Sequence, residues 1–346
     1  LNQRCKFLPF ATIYTFFFKN WYIYIQPMNI LITGAAGFIG FNFSKSLLES
    51  SSDKIIGIDN INDYYSVELK KKRLHVLKKF KNFSFHKIDI NNKKKITDLF
   101  KKKKIDIVFN FAAQAGVRYS IENPRAFVDN NIAGFYNILE ASTEYKVKKF
   151  FYASSSSVYG DNDKFPLKEN MLLRPKNIYG LSKKINEEIS EITSLENKIP
   201  MIGLRFFTVY GEWGRPDMFM IKYLHSSFNK KKLFYLNNHG NHVRDFTYIG
   251  DICKILKKLI KLNSKKKHSI FNICSTRPVH LTKVLKIIDK FTSKKPIIKK
   301  RAIQKGDIYK THGDNTLLKK SINFKTFTDI NVGIKNTVDW YIKNKI

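Results

Sequence analysis

The 346-residue sequence predicts an α/β fold: a doubly wound parallel sheet, helices on both faces, followed by a smaller α/β part. Three observations carry this. An apolar run over 28–33 ends in the turn Gly34-Ala35-Ala36-Gly37-Phe38-Ile39-Gly40 and passes into residues spaced as on a helix. Strand-like and helix-like segments then alternate to about residue 153, a pattern that demands parallel strands joined by right-handed crossovers. Hydrophobic residues make up 43% of the chain, with nine prolines and 16 glycines, enough apolar material for a core and too little bias for a disordered polymer.

In chain order, the first unit reads strand, glycine turn, helix. Gly34 permits the tight turn, Gly37 lets backbone approach a pyrophosphate at the helix N-terminus, and Gly40 lets the helix pack closely on the strand. Phe38 and Ile39 belong to the same cradle. The spacing is G-x-x-G-x-x-G rather than G-x-G-x-x-G, and taken alone it also fits a simple turn. A second strand over 54–58 delivers Asp59, placed to accept hydrogen bonds from an adenosine ribose, and an acid there favours NAD over NADP. Helix 67–80, strand 83–89, helix 93–103, strand 105–111, a long helix 124–146 and strand 149–153 continue the alternation. Asp89 and Ile90 then lie near the adenine, and Ala112-Ala113 form a small-residue floor. Residues 28–200 thus form a Rossmann-type NAD-binding domain, rejoined by a segment near 240–265, and 201–346 form mainly the substrate-binding domain.

Charge is lopsided, with 63 Lys and Arg against 28 Asp and Glu, a net of +35. The excess is mostly lysine in short scattered runs such as 70–73 and 101–104. Drift of exposed positions toward A+T-rich codons accounts for it better than a nucleic-acid surface, which favours arginine. Cys5, Cys253 and Cys274 are odd in number and form no C-x-x-C pair, so a reducing cytoplasm is expected. Residues 1–27 differ from the rest. Their longest uncharged run, 7–18, is too short for the roughly 20 residues of a membrane span. They read as upstream sequence before Met28, as a membrane anchor, or as a targeting segment.

The chemistry follows residue 153. Ser154-Ser155-Ser156-Ser157-Val158-Tyr159-Gly160 precedes Tyr179-Gly180-Leu181-Ser182-Lys183. Positions four apart share a helix face, so Tyr179 and Lys183 reach one bound nicotinamide ribose. A nearby cation lowers a phenol pKa that starts near 10, by about 1–3 units. Such a tyrosine acts as a general base on a sugar hydroxyl, with a serine hydroxyl bonding the same oxygen.

These motifs together resemble the extended short-chain dehydrogenases/reductases, in the group of nucleotide-sugar epimerases and dehydratases, over about 28–341. The resemblance implies Ser155, Tyr179 and Lys183 as the catalytic trio, Asn131 beside the active site, and a tightly held NAD regenerated at each turnover. Relatives that dehydrate or decarboxylate sugars carry acids directly after the active hydroxyl. Ser156 and Ser157 stand there instead, and serine hydroxyls are poor proton donors for a leaving group. Epimerisation is therefore favoured.

The stretch Gly203-Leu204-Arg205-Phe206-Phe207-Thr208-Val209-Tyr210-Gly211, with Trp213-Gly214-Arg215-Pro216-Asp217-Met218, is similar to that of UDP-glucuronate 4-epimerases. Thr208, Ser156, Ser157 and Arg215 would suit a sugar carboxylate; the lesser alternative is that Arg215 merely pairs with Asp217 in a loop. Arg244 matches the family's UDP-pyrophosphate arginine, Arg118 is a candidate for the same pocket, and Gly306-Asp307 with Thr311 fit the closing C-terminal stretch. Gly250, Phe219 and Asn238-His239 depart from the family pattern. The scattered His225, His239, His242 and His280 suggest no metal site. The resemblance further implies a homodimer through helices 124–146 and 178–195, and surface-polysaccharide synthesis as the use of the product. Competing readings are a 4-epimerase of UDP-glucose or UDP-N-acetylglucosamine, a UDP-glucuronate decarboxylase, and a basic nucleic-acid-binding protein; no nucleic-acid partner is expected.

Overall fold

The computed structural model describes residues 26–229, 231–263, 266–304 and 306–344. The expectations for the first 25 residues, Cys5 among them, lie outside the described residues. Seven strands form one parallel sheet: β1 (Asn29–Thr33), β2 (Lys54–Asp59), β3 (Phe83–Lys87), β4 (Ile107–Asn110), β5 (Lys149–Ser155), β6 (Met201–Phe206) and β10 (His268–Ile273), in the order β10-β6-β5-β4-β1-β2-β3. Intervening and later strands, β7 (Thr208–Tyr210), β8 (Phe234–Leu236), β9 (Val243–Tyr248), β11 (Pro278–His280) and β12 (Ile298–Lys300), build two small sheets, β11-β9-β7 and β12-β8.

Alternation across the strands explains the two cores. Ile30 and Ile32 of β1 face one side with Phe41, Ile252 and Ile255, so helices Phe38–Leu48 and Ile249–Ile260 pack there. Leu31 faces the other side with Ile96, Leu99, Phe135 and Ile138, from helices Lys93–Lys102 and Gly134–Glu144. Burial of both faces is what a parallel sheet requires. A third core joins helices Phe219–Phe228, Leu281–Phe291 and Ile330–Asn344 through Leu224, Val284 and Ile334. Among the described residues no helix is long and apolar enough to cross a membrane.

The structure departs from expectation in several places. The single helix expected over 124–146 is three pieces: Pro124–Phe127, a π-helical segment Val128–Ala133, and Gly134–Glu144. The π segment holds Asn131, whose buried amide is drawn into bonds with Gln114 and Ser182 rather than out to solvent. β5 runs on to Ser155, making the expected active serine the last residue of a strand. β6 and β10 both join the main sheet, so the cofactor half draws on residues from either side of 200. Lys70 and Arg73, within a run expected on the surface, are buried at 4% and 0% exposure.

Candidate active site

Strand order reverses at β1, which pairs β2 on one side and β4 on the other. Crevices at such a switch point bind ligands in open α/β sheets. Thr33, ending β1, ties the edges of that crevice: its hydroxyl donates to Asn110 Oδ1 at 2.5 Å and accepts from Ala112 N at 2.9 Å. The crevice opens into a cavity of about 310 Å³. It lies within the range of small-molecule sites, about 300–1,000 Å³.

The glycine turn forms one wall. Gly34 has φ +68°, and a Cβ there would come within 3.0 Å of Ala112 N. A Cβ on Gly40 would come within 2.2 Å of the Gly34 carbonyl oxygen, so only glycine permits this turn to pack on its helix. Helix Phe38–Leu48 starts without a side-chain cap. Its first N–H groups therefore remain free for a phosphate, and Gly37, Phe38 and Ile39 line the cavity. Asp59 lines it too, with Oδ2 accepting from Ala36 N at 3.0 Å and Oδ1 from Ile61 N at 2.8 Å. Burial pushes its carboxyl up, against the Ile61 and Ala36 N–H groups and the cations Lys70 and Arg73. This cradle fits a dinucleotide with a free adenosine 2′-hydroxyl.

Ile90, Ala112 and Ala113 also line the cavity. Asp89 does not. Its carboxylate is taken up by Asn60 Nδ2 and Asn91 N, each at 2.8 Å, while Ile88 and Ile90 face the cavity in its place. Asn131 likewise sits behind the lining and fixes Gln114, which forms part of it.

The opposite end gathers Ser155, Tyr179, Lys183, Thr208 and Arg215. Ser155 Oγ accepts from Ser157 N at 3.2 Å, which leaves its own proton free to donate into the cavity. Asn177 caps helix Ile178–Asn197 through Gly180 N and so fixes the turn that carries Tyr179. Lys183, 3% exposed, is one turn further on. Burial pulls its amine down to about 8. The lowered phenol expected for Tyr179 is not found. Burial pushes it up, while the Ser155 hydroxyl and the Arg215 guanidinium pull the other way.

Arg215 makes the pair with Asp217 that is the alternative reading of its loop, and it also faces the cavity. It lines the cavity and clasps Asp217, Nε to Oδ1 at 3.0 Å and Nη2 to Oδ2 at 2.6 Å, with the Tyr64 ring 5.8 Å away. Ser156 and Ser157 form a half-buried 3-10 turn outside the lining. Arg118, Arg244 and Asp307 form a separate cluster, also outside it. Arg118 pairs with Asp307 at 2.9 Å, and Arg244 donates to the Ile308 and Tyr309 carbonyls at 2.5 and 2.9 Å. Burial pulls Arg244 down to about 10, with Asp307 opposing.

Sequence reasoning missed Asn60, Asn62, Tyr64, Tyr65, Lys70 and Gln114, all of which line the cavity. Behind them Arg73 donates to the Ala36 carbonyl, the Tyr65 hydroxyl and the Trp213 carbonyl, joining the glycine turn to the loop of Arg215. A signal existed: Lys70 and Arg73 fall on the helix face marked by Leu69, Leu74 and Leu77. Among the described residues no group of three His, Cys, Asp or Glu is placed to hold a metal ion.

Residues 30–274 match the model of the NAD dependent epimerase/dehydratase family. Protein CapI of Staphylococcus aureus is 40% identical over 333 residues, spanning 91% of this chain and 99% of its own. UDP-glucuronate 4-epimerase 4 of Arabidopsis thaliana is 38% identical, over 91% of this chain and 75% of its own. The crystal structure of a UDP-glucuronic acid 4-epimerase from Bacillus cereus, in complex with UDP-glucuronic acid and NAD, superposes with a TM-score of 0.85 at 29% identity, over 92% of this chain and all of the other. With its glycine cradle, its Ser155, Tyr179 and Lys183 cluster and these matches, the chain belongs to the NAD dependent epimerase/dehydratase family.

Proposed function

We propose that the protein inverts carbon 4 of UDP-glucuronate, giving UDP-galacturonate through a transient 4-keto sugar. One observation carries the choice of reaction: Asp59 is the single carboxylate among the described residues that line the cavity. Asp59 ends β2, three strand spacings from Ser155 at the end of β5. That places the two about 14 Å apart across the sheet. Among the described residues that line the cavity, no acid stands beside Tyr179 to expel a hydroxyl, which disfavours dehydration.

NAD held in this cavity would supply the hydride acceptor and donor for carbon 4 of the sugar. The chain's own groups handle the proton and the orientation. Asp59, Ile90 and the glycine turn would hold the adenosine end of the cofactor, and Ala112, Ala113, Tyr179 and Lys183 its nicotinamide end. Tyr179 removes the proton of the carbon-4 hydroxyl, and Ser155 donates a hydrogen bond to that oxygen. Lys183 would bind the nicotinamide ribose, and its ammonium would favour the phenolate. Thr208 and the free Nη1 of Arg215 receive the sugar carboxylate, holding the keto acid against loss of carbon dioxide. Arg118 and Arg244 flank the UDP pyrophosphate. The protein works as a homodimer in the cytoplasm, a location in keeping with Cys253 and Cys274 as buried free thiols.

Purified protein given UDP-glucuronate should form UDP-galacturonate without added cofactor, read by NMR of the product. Tyr179→Phe should slow this about 10²–10⁴-fold. Arg215→Ala should harm turnover of the acidic sugar more than that of UDP-glucose. Carbon dioxide as the main product, or equal loss on both sugars, counts against the assignment.

A further inference from the structure

The face of helix Ile178–Asn197 that packs on the sheet is polar: Gly180, Ser182, Lys183, Asn186, Glu187, Ser190 and Ser194 are its buried residues. A helix normally buries an apolar stripe, so a buried charge one turn beyond Lys183 requires a reason. Glu187 meets Arg205 of β6 in a two-pronged pair, Nε to Oε1 at 2.9 Å and Nη2 to Oε2 at 2.7 Å, with both side chains almost wholly buried. Ser154 Oγ donates to the same Oε1 at 2.5 Å.

The sheet register shows what this joins. Ser154, Arg205 and Asn272 are direct neighbours across β5, β6 and β10. Their row faces the helix, so the next residue of β5, Ser155, faces the cavity. Arg205 Nη1 reaches Tyr159 Oη at 2.8 Å, and Tyr159 passes its proton bond to Asn272 Oδ1 at 2.7 Å. Arg205 also bonds the Glu169 carbonyl at 3.0 Å. One buried cluster thus fixes the strand end that carries Ser155 against the helix that carries Tyr179 and Lys183.

The pairing has an electrostatic consequence. Glu187 stands where a helical i,i+4 partner of Lys183 belongs. Lys183 has no hydrogen bond or ion pair among the described residues, and both carboxylate oxygens of Glu187 are engaged by Arg205 and Ser154. The titratable groups around the pair are Tyr152 of β5, Tyr159, Glu169, Glu191 one turn beyond Glu187, and His268 of β10, whose ring meets Tyr152 Oη at 2.8 Å. On the cavity side, Arg215 is the charged group that acts on Tyr179.

We infer that Glu187 and Arg205 are positioning residues for the reaction: their pair registers Ser155 with Tyr179, and it withholds the Glu187 carboxylate from Lys183 so that the ammonium serves the cofactor ribose and the phenol. The inference rests on Tyr179 being the base. Its test reads phenol ionisation directly, and so is separate from which sugar is turned over.

The experiment titrates the NAD-loaded protein by tyrosinate absorbance, with Tyr179→Phe subtracted, alongside the pH dependence of kcat. Arg205→Met leaves the carboxylate free to hold the ammonium and repel a phenolate, so Tyr179 ionisation and the acid limb of kcat should move up by about one pH unit. Glu187→Gln leaves an uncompensated guanidinium and should move both down by about the same amount. The double variant Glu187→Gln/Arg205→Met should return both to the wild-type position. A purely structural pair would lower bound NAD or kcat in each variant with no opposed shifts, and that result overturns the inference. Should a single variant fail to fold, Ser154→Ala decides. Deleting that hydroxyl should lower kcat about tenfold through loss of register, with KM and the acid limb unmoved, and an unchanged kcat overturns the inference.

Discussion

Lys183 shows at the scale of one residue how burial sets chemistry. Its amine is held at about 8, below the ordinary 10.5, because the charged form is poorly solvated. The ammonium that the reaction needs is present below pH 8 and is lost as pH rises through that value. kcat/KM should therefore fall on the alkaline side with a midpoint near pH 8, and a rate profile flat to about pH 9.5 would exclude this role. Stability follows the opposite sign. Between about 8 and 10.5 the unfolded chain binds more protons than the folded one, so this residue's contribution to stability improves across the window in which activity fades. Glu187 and Arg205 differ in kind: removing one member of a buried pair strands a charge, at a cost of about 3–5 kcal/mol.

At the scale of the element, the break in the helix expected over 124–146 has a local cause and a local use. Asn131 Oδ1 accepts from Gln114 N at 2.7 Å, and its Nδ2 donates to the Gln114 carbonyl and to Ser182 Oγ, each at 3.0 Å. These bonds tie the π-helical segment to the loop after β4 and to the helix of Tyr179. At about 1 kcal/mol per bond, Asn131→Ala should lower stability by roughly 2–3 kcal/mol in a urea titration. NAD retention should weaken with it, since Gln114 lines the cavity. A loss below 0.5 kcal/mol, within the range of ordinary surface substitutions, would show that the tie matters little.

For the whole molecule, assembly and charge are linked. Helix Ile178–Asn197 exposes Leu181, Ile192 and Leu195, and the broken helix beside it exposes Val128 and Tyr136. An apolar face of this kind suits a partner copy. Each chain of 40.5 kDa carries +35, so a dimer of 81 kDa (2 × 40.5) brings +70 (2 × 35) together. Salt screens that repulsion. Light scattering should find the 81 kDa species, with its share rising from low to moderate salt and falling in Ile192→Glu/Leu195→Glu. A monomer under all conditions would remove the homodimer from the reading.

The sequence by itself determined the α/β class, the glycine turn, the strand that ends in Asp59, and the placing of Tyr179 and Lys183 one turn apart on a helix. Each is written in short-range terms, a period, a turn or a four-residue spacing, and local sterics convert these into structure without help from distant residues; Ser155 is singled out by the family resemblance instead. Tertiary structure alone decided that Asp89 turns to Asn60 and Asn91, that Lys70 and Arg73 are buried, and that Arg215 holds Asp217 while lining the cavity. It also decided that Glu187 finds Arg205 and Ser154. Those outcomes depend on which strands become neighbours, and a buried charge takes whichever partner the assembled sheet brings within hydrogen-bond reach.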